Sequence, residues 1–262
     1  MILLTSYYNC IDEIRELEFK KCLLNNIINP DIEKIILLAE SDCLLLDDKL
    51  IIYNLSSRPT FMDFIKIANK YDGIKIIANS DIYFNLTLAK SQKLDENLVY
   101  CLTRWDMLSN GEIKFYENFK SQDSWIFKNK IPEHIGQYFM GTPGCDNRFA
   151  YELKEAGFKL KNPSLSIQSV HLHLSNLRTY NKGLDRIKGR YYYPLPNIIK
   201  SERFTINTRT IYWVQRRKYY EGIWRETIEG YNVNLFVRIL SILKSFYFKC
   251  LLKFNKYMIC IV

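Results

Sequence analysis

The sequence predicts an α/β fold, a mostly parallel sheet flanked by helices and followed by a basic helical C-terminal extension. Short, nearly continuous apolar runs alternate with amphipathic stretches, as strands covered on both faces require. The 262 residues are 48% hydrophobic and 25% charged, which supports a buried core and excludes a disordered or low-complexity chain. The charge is also divided: residues 1–181 carry 21 Lys/Arg against 23 Asp/Glu, whereas residues 182–262 carry 16 against 5. The net charge of +9 therefore belongs to the last third, which sets residues 1–181 apart as one domain and 182–262 as the extension.

Ile2 to Thr5 reads as a buried strand. From Asp12 to Ile28, Ile14, Leu17, Cys22, Leu24, Ile27 and Ile28 follow an approximate helical period that stops at Asn29-Pro30. Lys34 to Ala39 and Lys49 to Tyr53 are the next strands, and Pro59-Thr60 opens a helix through Phe61, Phe64, Ile65 and Ala68. Ile74 to Ala78 is a fourth strand that runs into Asn79-Ser80-Asp81, and Leu98 to Thr103 is a fifth. Ser109-Asn110-Gly111 marks a hairpin turn. In such sheets ligands bind beyond the carboxyl ends of the strands, where Tyr7-Tyr8, Arg58 and Asn79-Ser80-Asp81 fall. The chain has no G-x-G-x-x-G after its first strand and no Walker-A sequence, which removes the main support for a dinucleotide dehydrogenase or a P-loop NTPase. Seven scattered cysteines without a C-x-x-C pair suit a reducing compartment, and the first residues lack the features of a signal peptide.

Four stretches carry candidate chemistry. Asp81, at a strand end, is either a turn former or a ligand for Mg²⁺ or Mn²⁺. In Ser121-Gln122-Asp123-Ser124-Trp125, Asp123 is a candidate for sugar or acceptor hydroxyls, and Trp125 offers a ring face to a pyranose. Gly141 to Arg148 is a tight loop entering a helix; it makes Asp146 either an N-cap or a general base kept ionised by the helix dipole, with Asn147 beside it as a substrate contact. His171 and His173 alternate on one strand and share a face. They complete a metal site begun by Asp81, contact a diphosphate, or are structural; a zinc site lacks a third His or Cys nearby.

With these stretches in order, the chain resembles the GT-A class of nucleotide-sugar glycosyltransferases, and more narrowly a small bacterial and viral family of surface-glycan glycosyltransferases. The carrying residues are Asn79 to Ile82, Ser121 to Phe127, Gly144 to Arg148, Asn162 to Leu165 and His171 to Ser175, within about residues 1–181. The resemblance implies a GT-A (Rossmann-like) fold and a D-x-D site in which Asn79 replaces the first Asp and Asp81 keeps the metal-binding one. It further implies an acidic base at Asp146, a His171 or His173 contact to the metal or diphosphate, and a nucleotide pocket at Tyr7 and Arg58. The expected reaction moves a sugar from a nucleotide-diphosphate sugar to a lipid-linked or surface glycan, assisted by Mn²⁺ or Mg²⁺, with inversion. The alternatives are a nucleotidyltransferase, or a non-catalytic binder of anionic surfaces through the basic third.

From about residue 234 to 262, Arg238, Lys249, Lys253 and Lys256 line one stripe of an otherwise apolar helical circumference. An in-plane amphipathic helix on an anionic membrane fits this pattern, with packing on the body or on a second subunit as the alternative. The expected location is the cytoplasmic face of the membrane, peripherally attached. No nucleic-acid partner is expected, because the cations are not spread around the main cleft.

Overall fold

The computed structural model describes residues 1–41, 45–116, 121–175, 185–194 and 196–199, together with the backbone of 217–220 and 223–226. The expected membrane segment, 234–262, lies outside the described residues. In chain order the elements are β1 (Ile2–Tyr7), α1 (Glu13–Ile28), β2 (Lys34–Ala39), β3 (Leu50–Asn54), α2 (Phe61–Ala68), β4 (Lys75–Ala78) and β5 (Ile82–Phe84). They continue with β6 (Leu98–Leu102), β7 (Trp105–Met107), β8 (Ile113–Phe115), β9 (Ser124–Phe127), α3 (Cys145–Glu155), β10 (Lys159–Lys161) and β11 (Ser169–His171).

The main sheet has seven strands in the order β10-β6-β9-β4-β1-β2-β3. All its pairings are parallel except those of β9, which runs antiparallel to both β4 and β6. After β3 the chain returns to the other side of β1 to form β4, so β1 and β4 flank a topological switch point. A second sheet, β5-β11-β7-β8, stands at that end of the fold. Its register places His171 opposite Ile82 in β5 and Asp106 in β7.

The apolar runs exist because both faces of the main sheet are covered. Leu4, Ile36, Leu38, Ile77, Trp125 and Phe127 point to one face and meet Phe61, Phe64 and Ile65 of α2 and Phe149 and Leu153 of α3. Leu3, Ile35, Leu37, Ile76 and Ile126 alternate to the other and meet Leu23 and Ile27 of α1. Phe61 is the hub of the first face: its ring stacks on Phe149 at 4.4 Å and meets Trp125 edge-on at 4.9 Å. Gly136 turns against Phe61 with φ of 77°, and a Cβ there would come within 2.5 Å of the Phe61 Cβ.

One expectation needs correction here. α1 has the expected span, with Asp12 as its N-cap, but turns a different face inward. Ile14, Leu17, Leu24 and Ile28 are exposed, whereas Arg15, Glu18, Phe19, Cys22, Leu23, Asn26 and Ile27 are buried. The buried polar residues have partners on the body: Asn26 donates to the Ile82 carbonyl at 2.9 Å and accepts from the Phe84 amide at 3.0 Å. Residues 191–194 and 196–197 of the extension pack on the body. Tyr191 and Tyr192 are buried on the body, the Tyr192 amide donates to the Asn147 carbonyl (2.9 Å), and the Asn197 amide donates to the Asn162 carbonyl (2.7 Å). Further on, β12 (Arg217–Tyr220) and β13 (Ile223–Glu226) pair as antiparallel strands, in keeping with their Tyr, Ile and Trp content.

Phe61→Ala should lower the unfolding free energy by about 3–5 kcal/mol, the cost of deleting a buried aromatic ring. Leu17→Ala, on the outward face of α1, should change it by less than about 0.5 kcal/mol. Urea titration of the two variants checks both values.

Candidate active site

The chain beyond β4 makes a tight turn in which the Ile82 amide donates to the Asn79 carbonyl (3.1 Å), and this turn aims Asp81 into the gap between α1 and the second sheet. The Asp81 carbonyl accepts from the Leu172 amide (2.9 Å), which fixes the histidine segment beside it. His171 Nε2 lies 3.1 Å from Asp81 Oδ2, and His171 Nδ1 lies 2.9 Å from Asp106 Oδ1. His173 stacks on His171 at 5.5 Å, with its Nδ1 3.8 Å from Asp81 Oδ2. The expectation that the two imidazoles share a face is met.

Two charged residues of α1 complete this half. Arg15 Nη2 donates to Asp81 Oδ2 at 2.5 Å, and its Nη1 donates to Glu18 Oε2 at 2.8 Å. Glu18 in turn accepts from the amides of Leu174 (2.5 Å) and Ser175 (2.9 Å), closing the end of the histidine segment. Burial alone would raise the Asp81 carboxyl, but His171, His173 and Arg15 hold it well below the usual carboxylate range. Burial would likewise lower His171, yet the carboxylates of Asp81 and Asp106 push it up to about 9.

Asp81, His171 and His173 offer ligand atoms that all lie within 4.8 Å of one another. Asp81 Oδ1 and His173 Nε2 are buried and have no hydrogen-bond partner among the described residues. Buried polar atoms of this kind need a partner, and one carboxylate with two imidazoles is a donor set that suits Mn²⁺ or Zn²⁺. The residues therefore fit a divalent ion.

The second half gathers around Asp123. Its Oδ1 accepts from the Asn79 side chain (3.0 Å), and its Oδ2 accepts from Ser121 (3.2 Å) and faces Arg104 Nη1 (3.5 Å). Arg104 also donates to Asp106 at 2.8 Å, so the two halves join through Arg104, Asp106 and His171. Asp146, in the first turn of α3, accepts from the Gln122 amide at 3.2 Å. It is not the N-cap: Gly144 caps α3 in the left-handed region, with no side-chain hydrogen bond. The helix dipole does not keep Asp146 ionised either, because burial and the Asp123 charge push its carboxyl up to about 7.

Three other site candidates occupy different places from those expected. Trp125 presents no ring to solvent; it is 1% exposed, wedged between Phe61 and Phe149, because the strand's alternation turns it into the core. Asn147 is buried, and its side chain donates to Gln122 Oε1 (2.8 Å), which fixes the loop that carries Asp123. Tyr7 belongs to the core, while its neighbour Tyr8 is half-buried, 5.1 Å from the Phe19 ring and within reach of the charges of Arg15, Asp81 and Arg58. Arg58 is exposed and donates to the Met140 carbonyl at 2.5 Å, against the Gly141 turn. Arg15, Glu18, Arg104 and Asp106 were not singled out from the sequence; the one signal was a pair of charges, Arg15 and Glu18, three apart within an amphipathic helix.

No family model matches the chain, and no curated protein matches it. Among solved structures, the chain is similar to the mannosyltransferase PcManGT from Pyrobaculum calidifontis in complex with GDP-Man and Mn²⁺. The identity is 13% and the TM-score 0.46, over 68% of this chain and 58% of that one. It is also similar to 4-diphosphocytidyl-2C-methyl-D-erythritol synthase from Anaerococcus prevotii, at 10% identity and a TM-score of 0.39, over 69% of this chain and 90% of that one. A third likeness is to S. aureus TarS, at 13% identity and a TM-score of 0.38, over 67% of this chain and 35% of that one. The chain thus spans little more than half of the mannosyltransferase.

The geometry predicts that Asp123→Asn lowers the Asp146 pKa from about 7 toward the ordinary carboxyl range, since the Asp123 charge is one of the two causes that raise it. Carboxyl NMR titration checks this. The folded chain holds the Asp146 proton up to about pH 7, whereas an unfolded Asp releases it near about pH 4. Stability should therefore fall as pH rises through that window. Asp146→Asn should remove that slope, making the variant more stable than wild type at pH 8 in denaturant titration.

Proposed function

We propose that this chain is a glycosyltransferase that moves a sugar from a nucleotide-diphosphate sugar to a hydroxyl of a lipid-linked or surface glycan, with inversion. One observation carries the reading. Beside the switch point of the main sheet lie both a group whose donor atoms suit a cation (Asp81, His171 and His173) and a carboxyl pushed up to about 7, Asp146. Breaking an anomeric C–O bond leaves a diphosphate that needs positive charge, while the acceptor hydroxyl must lose a proton on the other side of the sugar.

In this reading Asp81, His171 and His173 would hold a divalent ion, Mn²⁺ by their donor set, which would supply Lewis-acid counter-charge for a diphosphate. Asp146 takes the acceptor proton at its carboxylate, and the Gln122 amide orients it. A base with a pKa near 7 is matched to that task, being substantially ionised at neutral pH yet strong enough to accept a proton. Asp123 and Asn79 keep the loop between the two groups in place. With Tyr7 in the core, Tyr8, which feels the Arg58 charge, takes its place beside Arg58 as the proposed contact to the nucleotide base.

The chain is further proposed to sit peripherally on the cytoplasmic face of an anionic membrane through residues from about 234 to 262. The polar stripe of Arg238, Lys249, Lys253 and Lys256 supports this, as does the exposed row Ile11, Ile14, Leu17, Leu24 and Ile28 on α1 and just before it. No helix among the described residues is long and apolar enough to cross a membrane.

A donor screen that follows nucleoside diphosphate and pyrophosphate separately tests the reaction class. Diphosphate release from a nucleotide sugar, stimulated by Mn²⁺, is the expected result; pyrophosphate release from a nucleoside triphosphate would instead establish a nucleotidyltransferase. With the right donor and acceptor, Asp146→Asn should keep donor affinity and lose about 10²–10⁴-fold in transfer rate. For the membrane reading, binding of the full chain to anionic vesicles should weaken with salt without vanishing, and deletion of 234–262 should abolish it.

A further inference from the structure

Asp81 is engaged by a fixed cation of the protein's own. Arg15 is about nine-tenths buried and held from three sides: Nη2 on Asp81 Oδ2 at 2.5 Å, Nη1 on Glu18 Oε2 at 2.8 Å, and Nη1 on the Leu172 carbonyl at 3.3 Å. Its guanidinium carbon also lies 4.5 Å from the centre of the Phe19 ring. The Asp81 oxygens are therefore unequal, with Oδ2 taken by Arg15 and His171 and Oδ1 left without a partner among the described residues. An ion ligated by Asp81 and the histidines comes to rest beside a guanidinium that Asp81, Glu18 and the Leu172 carbonyl hold in place as long as no other anion competes for it. Two cations at such range in a buried site repel strongly, and the carboxylate that must attract the ion has already spent one oxygen on Arg15.

We propose that Arg15 is a built-in counter-cation of Asp81 that keeps the site's affinity for divalent ions low until an anionic ligand engages the guanidinium. This inference rests on the metal-assisted glycosyltransferase reading and adds a control to it. The fork of a guanidinium matches phosphate oxygens as well as it matches a carboxylate, so a diphosphate offers Arg15 a second anion at the place where the ion binds. Once Arg15 turns to the diphosphate, Asp81 Oδ2 is released to the ion. Donor and ion then each raise the other's affinity by the same factor, as linkage requires.

The test is calorimetric titration of the full chain with MnCl₂ alone, without nucleotide, at one pH and ionic strength. Arg15→Gln, which removes the charge but can still hydrogen-bond Glu18, should bind Mn²⁺ at least about tenfold more tightly than wild type, roughly a 1.4 kcal/mol effect. Arg15→Lys, which keeps the charge, should stay within about threefold of wild type on the same scale. If Arg15→Gln does not fold by circular dichroism, Arg15→Met removes the same charge and keeps an apolar stem against Phe19. Adding GDP or UDP should raise Mn²⁺ affinity more in wild type than in the charge-removed variant. Equal Mn²⁺ affinities in wild type and the charge-removed variant, with binding lost in Asp81→Asn, would overturn the role of Arg15 and leave the metal site standing. Weaker binding in the charge-removed variant would overturn it too, since Arg15 would then be ordering the ligands. If neither wild type nor any Arg15 variant binds Mn²⁺, with or without nucleotide, the metal reading fails and this inference fails with it.

Discussion

The buried carboxylate of Asp81 is the constraint on which the rest of this end of the molecule depends. A charge out of water must be paired, and Asp81 is paired with groups from two separate elements: Arg15 of α1 and the histidines of β11 and the residues after it. Its backbone carbonyl holds the same β11 segment through Leu172. Helix, turn and second sheet are thus bound to one side chain. His171 passes the connection to Asp106, Arg104 passes it to Asp123, and the chain of contacts ends at Asn79, two residues from where it began. Glu18, Asp81, Asp106 and Asp123 face Arg15, Arg104 and a His171 whose carboxylate neighbours favour its charged form. With that proton displaced, as ligation of a metal by His171 requires, two negative charges are left over, which suits a site that receives a divalent cation.

This network explains where the two sheets meet. A parallel sheet exposes its strand ends at a switch point, and here those ends are β1 and β4. Left open, the gap would expose the edge of β5 and the inner face of α1. β11 fills it, pairing with β5 on one side and β7 on the other, and its register sets His171 directly across from Asp106. Across the main sheet, α3 is placed by the aromatic cluster of Phe61, Trp125 and Phe149, and its first turn delivers Asp146 to the Gln122 amide. Apolar packing and buried charge therefore position the two halves of the site independently.

The fold was legible where burial is two-sided. Runs such as Lys34 to Ala39 have only one way to satisfy so many apolar residues, and β2 has the expected bounds. Asp81, His171 and His173 were legible because a carboxylate at a strand end and two alternating histidines are locally unusual. The inward face of α1 was not legible, since hydrophobic periodicity assumes an apolar core and this helix packs against a charged site. Ile14 and Leu17 carry the pattern yet face outward, while Arg15 and Glu18 face in to meet partners 66 and 157 residues away. Trp125 misled for the converse reason. An aromatic beside polar residues resembles a sugar platform, but in β9 alternation sends Ser124 and Trp125 to opposite faces, and Trp125 falls on the core side.

The asparagine at position 79 has a physical account in the same network. The residue at this position does not face the histidines; its side-chain nitrogen lies 3.0 Å from Asp123 Oδ1. A carboxylate there would set two anions against each other, with only Arg104, at 3.5 Å and already paired with Asp106, to offset them. The amide donates instead, and it does so without cancelling the Asp123 charge. The Asp123 charge, together with burial, raises Asp146 to about 7. A second anion at position 79 would add to the rise of Asp146, whereas a cation there would draw it down and weaken it as a base. A neutral donor at position 79 is therefore the choice that keeps the loop closed and the Asp146 carboxyl poised between its two protonation states.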